Sequence, residues 1–144
     1  MITEAYIKGR YDYGVGKCAV VIVEAGEVKH KVAWKVPAFE YDGVKVEPDK
    51  ENCEIIAVCY ALQWCRQNGR IICNVYSDSD YVSRWFYRGQ IPKDRVLYRA
   101  YAEASNGIDV FADSPPRLFY VKETGKYIDN EFNLLVNELA EKVK

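Results

Sequence analysis

The sequence predicts an α/β fold: a mixed five-stranded sheet, three strands in an antiparallel meander and two parallel, flanked by helices. Three β-type runs within residues 3–36 are separated by short glycine-bearing turns, the pattern of consecutive hairpins. After residue 49, helical periodicity alternates with short apolar runs. The resulting order is three strands and then α-β-α-α-β-α. It implies a mixed sheet whose first, fourth and fifth strands are parallel, joined by right-handed crossovers.

Residues 3–8 read as the first strand, ended by Gly9. Tyr11 to Gly16 is turn chemistry, its glycines able to supply positive φ. Cys18 to Val23 is the second strand, and Ala25-Gly26-Glu27 a short turn. From Val28 to Val36 apolar and polar residues alternate, the sign of a third strand with one wet face, which puts His30 at the surface or rim. Pro37 to Pro48 is a longer connection with room for a small hairpin. A helix opens near Asp49 or Asn52, either a suitable N-cap, and ends at Asn68-Gly69. Its apolar stripe is Val58, Ala61, Leu62 and Cys65, and Glu54 lies one turn earlier on the same stripe. A carboxylate on the face that packs calls for an explanation.

The fourth strand covers 71–76, followed by a short helix at about 80–87 and a longer one at about 93–105 that ends at Asn106-Gly107. Ile108 to Pro116 reads as a loop, and Leu118 to Val121 as the fifth strand. The last helix runs from about Asn130 to Lys142, with Phe132, Leu135, Val136, Leu139 and Val143 as its stripe.

A length of 144 residues fits one domain, 1–144, around one core. With a net charge of −1 the chain as a whole does not attract polyanions, so a nucleic-acid surface would be a local patch. Five cysteines without a CxxC pair argue against a disulfide framework or a zinc site and suit a reducing compartment. No apolar run approaches the roughly 18–20 residues of a membrane span, and the amino terminus lacks a signal-peptide pattern. The expected location is cytoplasmic, without membrane contact.

The stretch from Tyr76 to Val82 carries the most functional information. Asp78 follows the buried fourth strand, at the carboxyl end where open α/β sheets place their ligand sites. Each acidic residue also has a plainer reading. Glu54 suits a first helical turn, where the dipole favours negative charge, and Asp78, Ser79 or Asp80 suits an N-cap.

Taken together, the motifs resemble the type 1 ribonuclease H family over essentially the whole chain. Ala5-Tyr6-Ile7-Lys8-Gly9-Arg10-Tyr11 resembles its first strand, which usually reads aromatic-X-Asp-Gly-Ser. Asn52-Cys53-Glu54 with Ala57 and Ala61-Leu62 resembles its first-helix motif, with Glu54 at the metal-binding glutamate. Ser77-Asp78-Ser79-Asp80-Tyr81-Val82 resembles its Thr-Asp-Ser-X-Tyr-Val motif, with Asp78 at the metal-binding aspartate. Asn133 to Ala140 resembles its closing Asn-X-X-Ala-Asp-X-Leu-Ala, with Asn137 at the aspartate. Trp85 after Tyr81-Val82 is similar to the viroplasmin-associated branch.

The resemblance implies a site in which two magnesium ions between four carboxylates activate a water and stabilise the leaving oxygen in phosphodiester hydrolysis. Here the four positions read Lys8, Glu54, Asp78 and Asn137, a net charge of −1 in place of −4. Mg²⁺ wants hard oxygen ligands; Asn137 offers a neutral oxygen, and a protonated Lys8 offers none. The loop implied to carry a catalytic histidine reads Glu123-Thr124-Gly125. Asp12 as a substitute ligand lies four residues past Lys8, on the order of 13 Å along an extended chain. Lys8 in the metal position, paired with Glu54 and Asp78, would make the cluster a structural ion triad.

Arg84, Arg88, Lys93, Arg95 and Arg99 form a basic cluster interleaved with Trp85, Phe86, Tyr87 and Tyr98. Such a surface follows a phosphate backbone and stacks on bases, and the resemblance adds Asn52 to the substrate-contacting residues. The plain alternative is a solvated basic face. Three functions follow. The leading one is a catalytically degenerate domain that binds nucleic acid, an RNA–DNA hybrid above all, with no cofactor. The second is an active endoribonuclease using Mg²⁺ or Mn²⁺ on Glu54 and Asp78. The third is a protein-interaction module that keeps only the fold and uses its tyrosine-rich surface.

Overall fold

The structure, a computed structural model, describes residues 2–79, 81, 82, 84, 95–113, 118–121 and 126–144. A five-stranded sheet is ordered β3-β2-β1-β6-β7. β1 (Thr3–Asp12), β2 (Val15–Glu24) and β3 (Glu27–Val36) form the antiparallel meander. β6 (Ile72–Tyr76) runs parallel to β1, and β7 (Asp109–Asp113) parallel to β6. β4 (Phe39–Tyr41) and β5 (Val44–Val46) make the small hairpin expected in the long connection. β8 (Leu118–Val121) and β9 (Lys126–Asp129) make another. The helices are α1 (Lys50–Gln67), α2 (Arg95–Ala104) and α3 (Glu131–Glu141). Residues 81, 82 and 84 are helical as well.

The meander is tightly turned for a local reason. Tyr13-Gly14 and Ala25-Gly26 each put two successive residues at positive φ, and Asp42-Gly43 repeats this in the β4–β5 hairpin. That is the type I′ geometry, whose twist matches the flanking strands. The paired glycine carries the second positive φ without a Cβ clash.

Helices cover both faces of the sheet. On one face, Ala5, Ile7, Cys18, Val20 and Ile22 pack against Ala57, Val58, Ala61, Leu62 and Cys65 of α1. On the other, Tyr6, Ala19, Val21 and Val23 pack against Val136 and Ala140 of α3. β1 is central and is buried from both sides through its first half. The expected stripes of α1 and α3 are therefore the faces that pack. Asp49 is the N-cap of α1, its side chain accepting from the Asn52 backbone N–H.

Three expectations are corrected. Gly9 does not end the first strand; β1 continues to Asp12, pairing Gly9 with Cys18 and Arg10 with Lys17. A Cβ on Gly9 would lie 2.5 Å from the Glu54 nitrogen and 2.7 Å from the Lys50 oxygen, so the glycine marks the close approach of α1. Residues 108–116 are not all loop, since β7 occupies Asp109–Asp113 with Ala112 buried and Phe111 half-exposed on the opposite side. Leu118–Val121 is therefore not the fifth strand of the main sheet but one arm of the β8–β9 hairpin. The parallel arrangement of first, fourth and fifth strands holds with β7 as the fifth.

Candidate functional site

The parallel register between β1 and β6 builds the site. Tyr6 is opposite Tyr76, and their rings stack at 5.0 Å between centroids. Two residues further along each chain come Lys8 and Asp78; alternation along β1 returns Lys8 to that side, and the bend after β6 brings Asp78 to meet it. The Lys8 Nζ donates to both carboxylate oxygens of Asp78, at 3.2 and 3.3 Å. The side chains are 15% and 19% exposed, so the pair is largely shielded from water.

The turn after β6 is held by serines. The Ser79 backbone N–H donates to the Ser77 hydroxyl oxygen, and the Tyr81 N–H to that of Ser79. Ser79, one of the N-cap candidates at 78–80, thus caps the Tyr81 N–H, while Asp78 faces Lys8.

Glu54 enters from α1, over Gly9. Its side chain is 1% exposed, and neither carboxylate oxygen has a hydrogen-bond partner among the described residues. The Lys50 ammonium, one turn earlier, lies 4.0 Å from Oε1. Burial pushes the Glu54 carboxyl up to about 7; the charges of Lys50 and Lys8 and the nearby Ser79 hydroxyl pull the other way and do not prevail. The expected triad is therefore a bonded Lys8–Asp78 pair with Glu54 behind it, within reach of the field of Lys8 but not bonded to it.

Asn137 arrives from α3, and its amide donates back to the Asn133 carbonyl at 2.7 Å. Lys8 and Asn137 line one open pocket of about 360 Å³, with Arg10, Asp12, Lys50 and Glu141 around it. Asp12 is engaged there by Arg10 at 2.9 Å and by Lys17 at 3.9 Å. The Arg10 guanidinium holds its carboxyl below the usual range. The sequence reading missed Arg10 and Lys50. Both carried a signal: Lys8, Arg10 and Asp12 share a face at period two once β1 is extended, and Lys50 is four residues before Glu54 on a helix.

The remaining candidates lie elsewhere or deeper. Asn52 is buried; its amide nitrogen donates to the Glu47 carbonyl at 2.8 Å, and its side-chain oxygen has no partner among the described residues. Arg84 is half-buried, while Arg95 and Arg99 are exposed on α2, with Arg99 bonded to Asp42 at 2.8 Å. Trp85, Arg88 and Lys93 lie outside the described residues, as do Phe86, Tyr87 and the 123–125 loop. His30, at the rim, is bonded to the Tyr60 hydroxyl at 2.7 Å. Among the described residues, no three or more His, Cys, Asp or Glu side chains converge as a metal-ligand set. No helix among them is long and apolar enough to cross a membrane.

No protein-family model matches the sequence, and a search of curated proteins finds no match. Solved structures do match. Ribonuclease H1 from the halophilic archaeon Halobacterium salinarum is 17% identical over 99% of this chain and 100% of that one, with a TM-score of 0.64. An N-terminal ribonuclease H domain from Mycobacterium tuberculosis, solved as a fusion with maltose-binding protein, is 12% identical over 99% and 98%, with a TM-score of 0.68. LC11 ribonuclease H1, solved in complex with an RNA/DNA hybrid, is 16% identical over 97% of each chain, with a TM-score of 0.63. The fold is that of type 1 ribonuclease H.

Proposed function

We propose that this ribonuclease H-fold chain binds nucleic acid, an RNA–DNA hybrid above all, without efficient hydrolysis. The observation that carries the reading is the Lys8 ammonium on both oxygens of Asp78. A divalent cation needs several hard oxygen donors in a near-octahedral set. The residues in place do not fit one. Lys8 brings positive charge to the carboxylate that would be the ligand, Asn137 offers a neutral oxygen in place of a carboxylate, and burial favours protonated Glu54. The binding half of the reading is supported by the likeness to a fold solved with an RNA/DNA hybrid and by the exposed Arg95 and Arg99 on α2. Fold alone does not fix function, so the reading stands on the site.

The test is cleavage of a labelled RNA–DNA hybrid in Mg²⁺ and, separately, in Mn²⁺, with Asp78→Asn as control. Wild type is expected to bind the hybrid and leave it intact. The double variant Lys8→Asp/Asn137→Asp, which restores four carboxylates, is expected to gain metal-dependent cleavage. Cleavage by wild type that disappears in Asp78→Asn would establish an active endoribonuclease and overturn the reading.

A further inference from the structure

We propose that the pocket between β1, α1 and α3 takes a backbone phosphate directly on Lys8 and Lys50, with no divalent cation between them. This rests on the reading of the chain as a nucleic-acid binder and specifies how the site is used. An ammonium ion fixed where a cation would otherwise be recruited can itself meet a phosphate oxygen, since lysine is a point-charge phosphate binder.

The charges around the pocket are unequally committed. The Arg10 guanidinium is spent on Asp12 and Glu141, and Lys17 leans on Asp12. Lys8 uses its ammonium on Asp78 at 3.2 and 3.3 Å, and an ammonium has three donors. It lines the pocket, so the third is available to a guest. Lys50 is freer still. It is the first residue of α1, where the helix dipole disfavours a cation. Its side chain is 54% exposed, and among the described residues its nearest carboxylate oxygen, on Glu54, is 4.0 Å away, beyond hydrogen-bond range. An anion in this pocket would meet two ammonium groups and the amino-terminal end of α1, and would relieve the unfavourable placement of Lys50. The acidic groups do not close the pocket to it. Glu54 is buried and Asp78 is covered by Lys8, while Asp12 is held by Arg10. Glu141 is the exposed exception and, among the described residues, is paired with Arg10.

The experiment is hybrid binding by fluorescence anisotropy at constant ionic strength, in Mg²⁺ and in EDTA, for wild type and Lys50→Gln, with a salt titration of each. Lys50 is exposed, so its replacement leaves the fold intact. The expected result is equal wild-type affinity in Mg²⁺ and EDTA. Lys50→Gln should bind several-fold more weakly, and the slope of log K against log salt should fall by about 1, the loss of one phosphate contact. Affinity that requires Mg²⁺, or an unchanged slope in Lys50→Gln, overturns the direct phosphate contact and leaves hybrid binding standing. A second arm adds inorganic phosphate to the free chain and follows the lysine side-chain NMR signals. Shifts at Lys8 and Lys50 without any hybrid binding would support the phosphate pocket and sink the hybrid reading. No shift and no hybrid binding would overturn both.

Discussion

Lys8 projects from a central strand, and its shielding from water sets the cost of removing it. Lys8→Ala takes from Asp78 an ammonium that contacts both its oxygens. With both side chains less than a fifth exposed, the expected loss is about 1–3 kcal/mol of stability. An unchanged urea midpoint would show that the pair is worth no more than a surface ion pair. Glu54 makes a prediction of opposite sense. Its carboxyl titrates near 7 in the fold against 4.5 ordinarily, so between those values the folded chain holds a proton that the unfolded chain has lost. The corresponding stability is complete below about pH 4.5 and is lost as pH rises through 7. Glu54→Gln keeps the shape and cannot ionise. It is expected to flatten that slope and to raise stability above pH 7 by up to about 3 kcal/mol. Urea titrations across the range decide it; parallel profiles for the two proteins would mean that Glu54 ionises normally. At the opposite end of the β1–β6 pair, buried Glu24 shows a satisfied counterpart. It accepts from Thr3 and from two nitrogens of Arg70, which hold its carboxyl below the usual range.

At the level of elements, α1 reaches its place over β1 because that strand carries glycine at position 9. Gly9→Ala would force a methyl against the Glu54 nitrogen and the Lys50 carbonyl, both backbone atoms that cannot swing aside. The expected cost is about 1–3 kcal/mol from overpacking, together with altered NMR shifts across residues 50–54. A silent Gly9→Ala would mean that α1 shifts freely on the sheet. The same glycine shows why some elements were legible and others were not. Turns and caps write themselves locally: Gly14, Gly26 and Asp49 could be placed from sequence. Gly9 is a tertiary feature, and locally it looks like a strand breaker. β7 was obscured in a similar way. Its inward residues, Val110 and Ala112, continue an alternation begun by Ile108 just before the strand, yet Asp109 and exposed Phe111 give the run the look of a loop. Glu54 and Asp78 were legible because a carboxylate on a packing stripe and another at a strand end each break a local pattern. Arg10 and Lys50 break none, and only the extended strand and the close helix bring them to the same pocket.

For the molecule as a whole, the sheet is closed by helices on both faces and left with two edges, β3 and β7. β3 carries Lys29, Lys31 and Lys35 along its length, charges that discourage another chain from pairing there. The pocket opens where β1, α1 and α3 meet, so every part of it depends on both helical layers being docked. The five thiols of this core give that docking a clock. Cys18, Cys53, Cys65 and Cys73 are fully buried, and only Cys59 is partly exposed. A water-soluble thiol reagent in excess should therefore reach Cys59 first and the other four no faster than the layers separate. Mass spectrometry of the labelled chain would count these events, and prompt modification of all five would mean that the core breathes. The protein thus carries its own reporters of opening, thiols already in the sequence that need no engineered label.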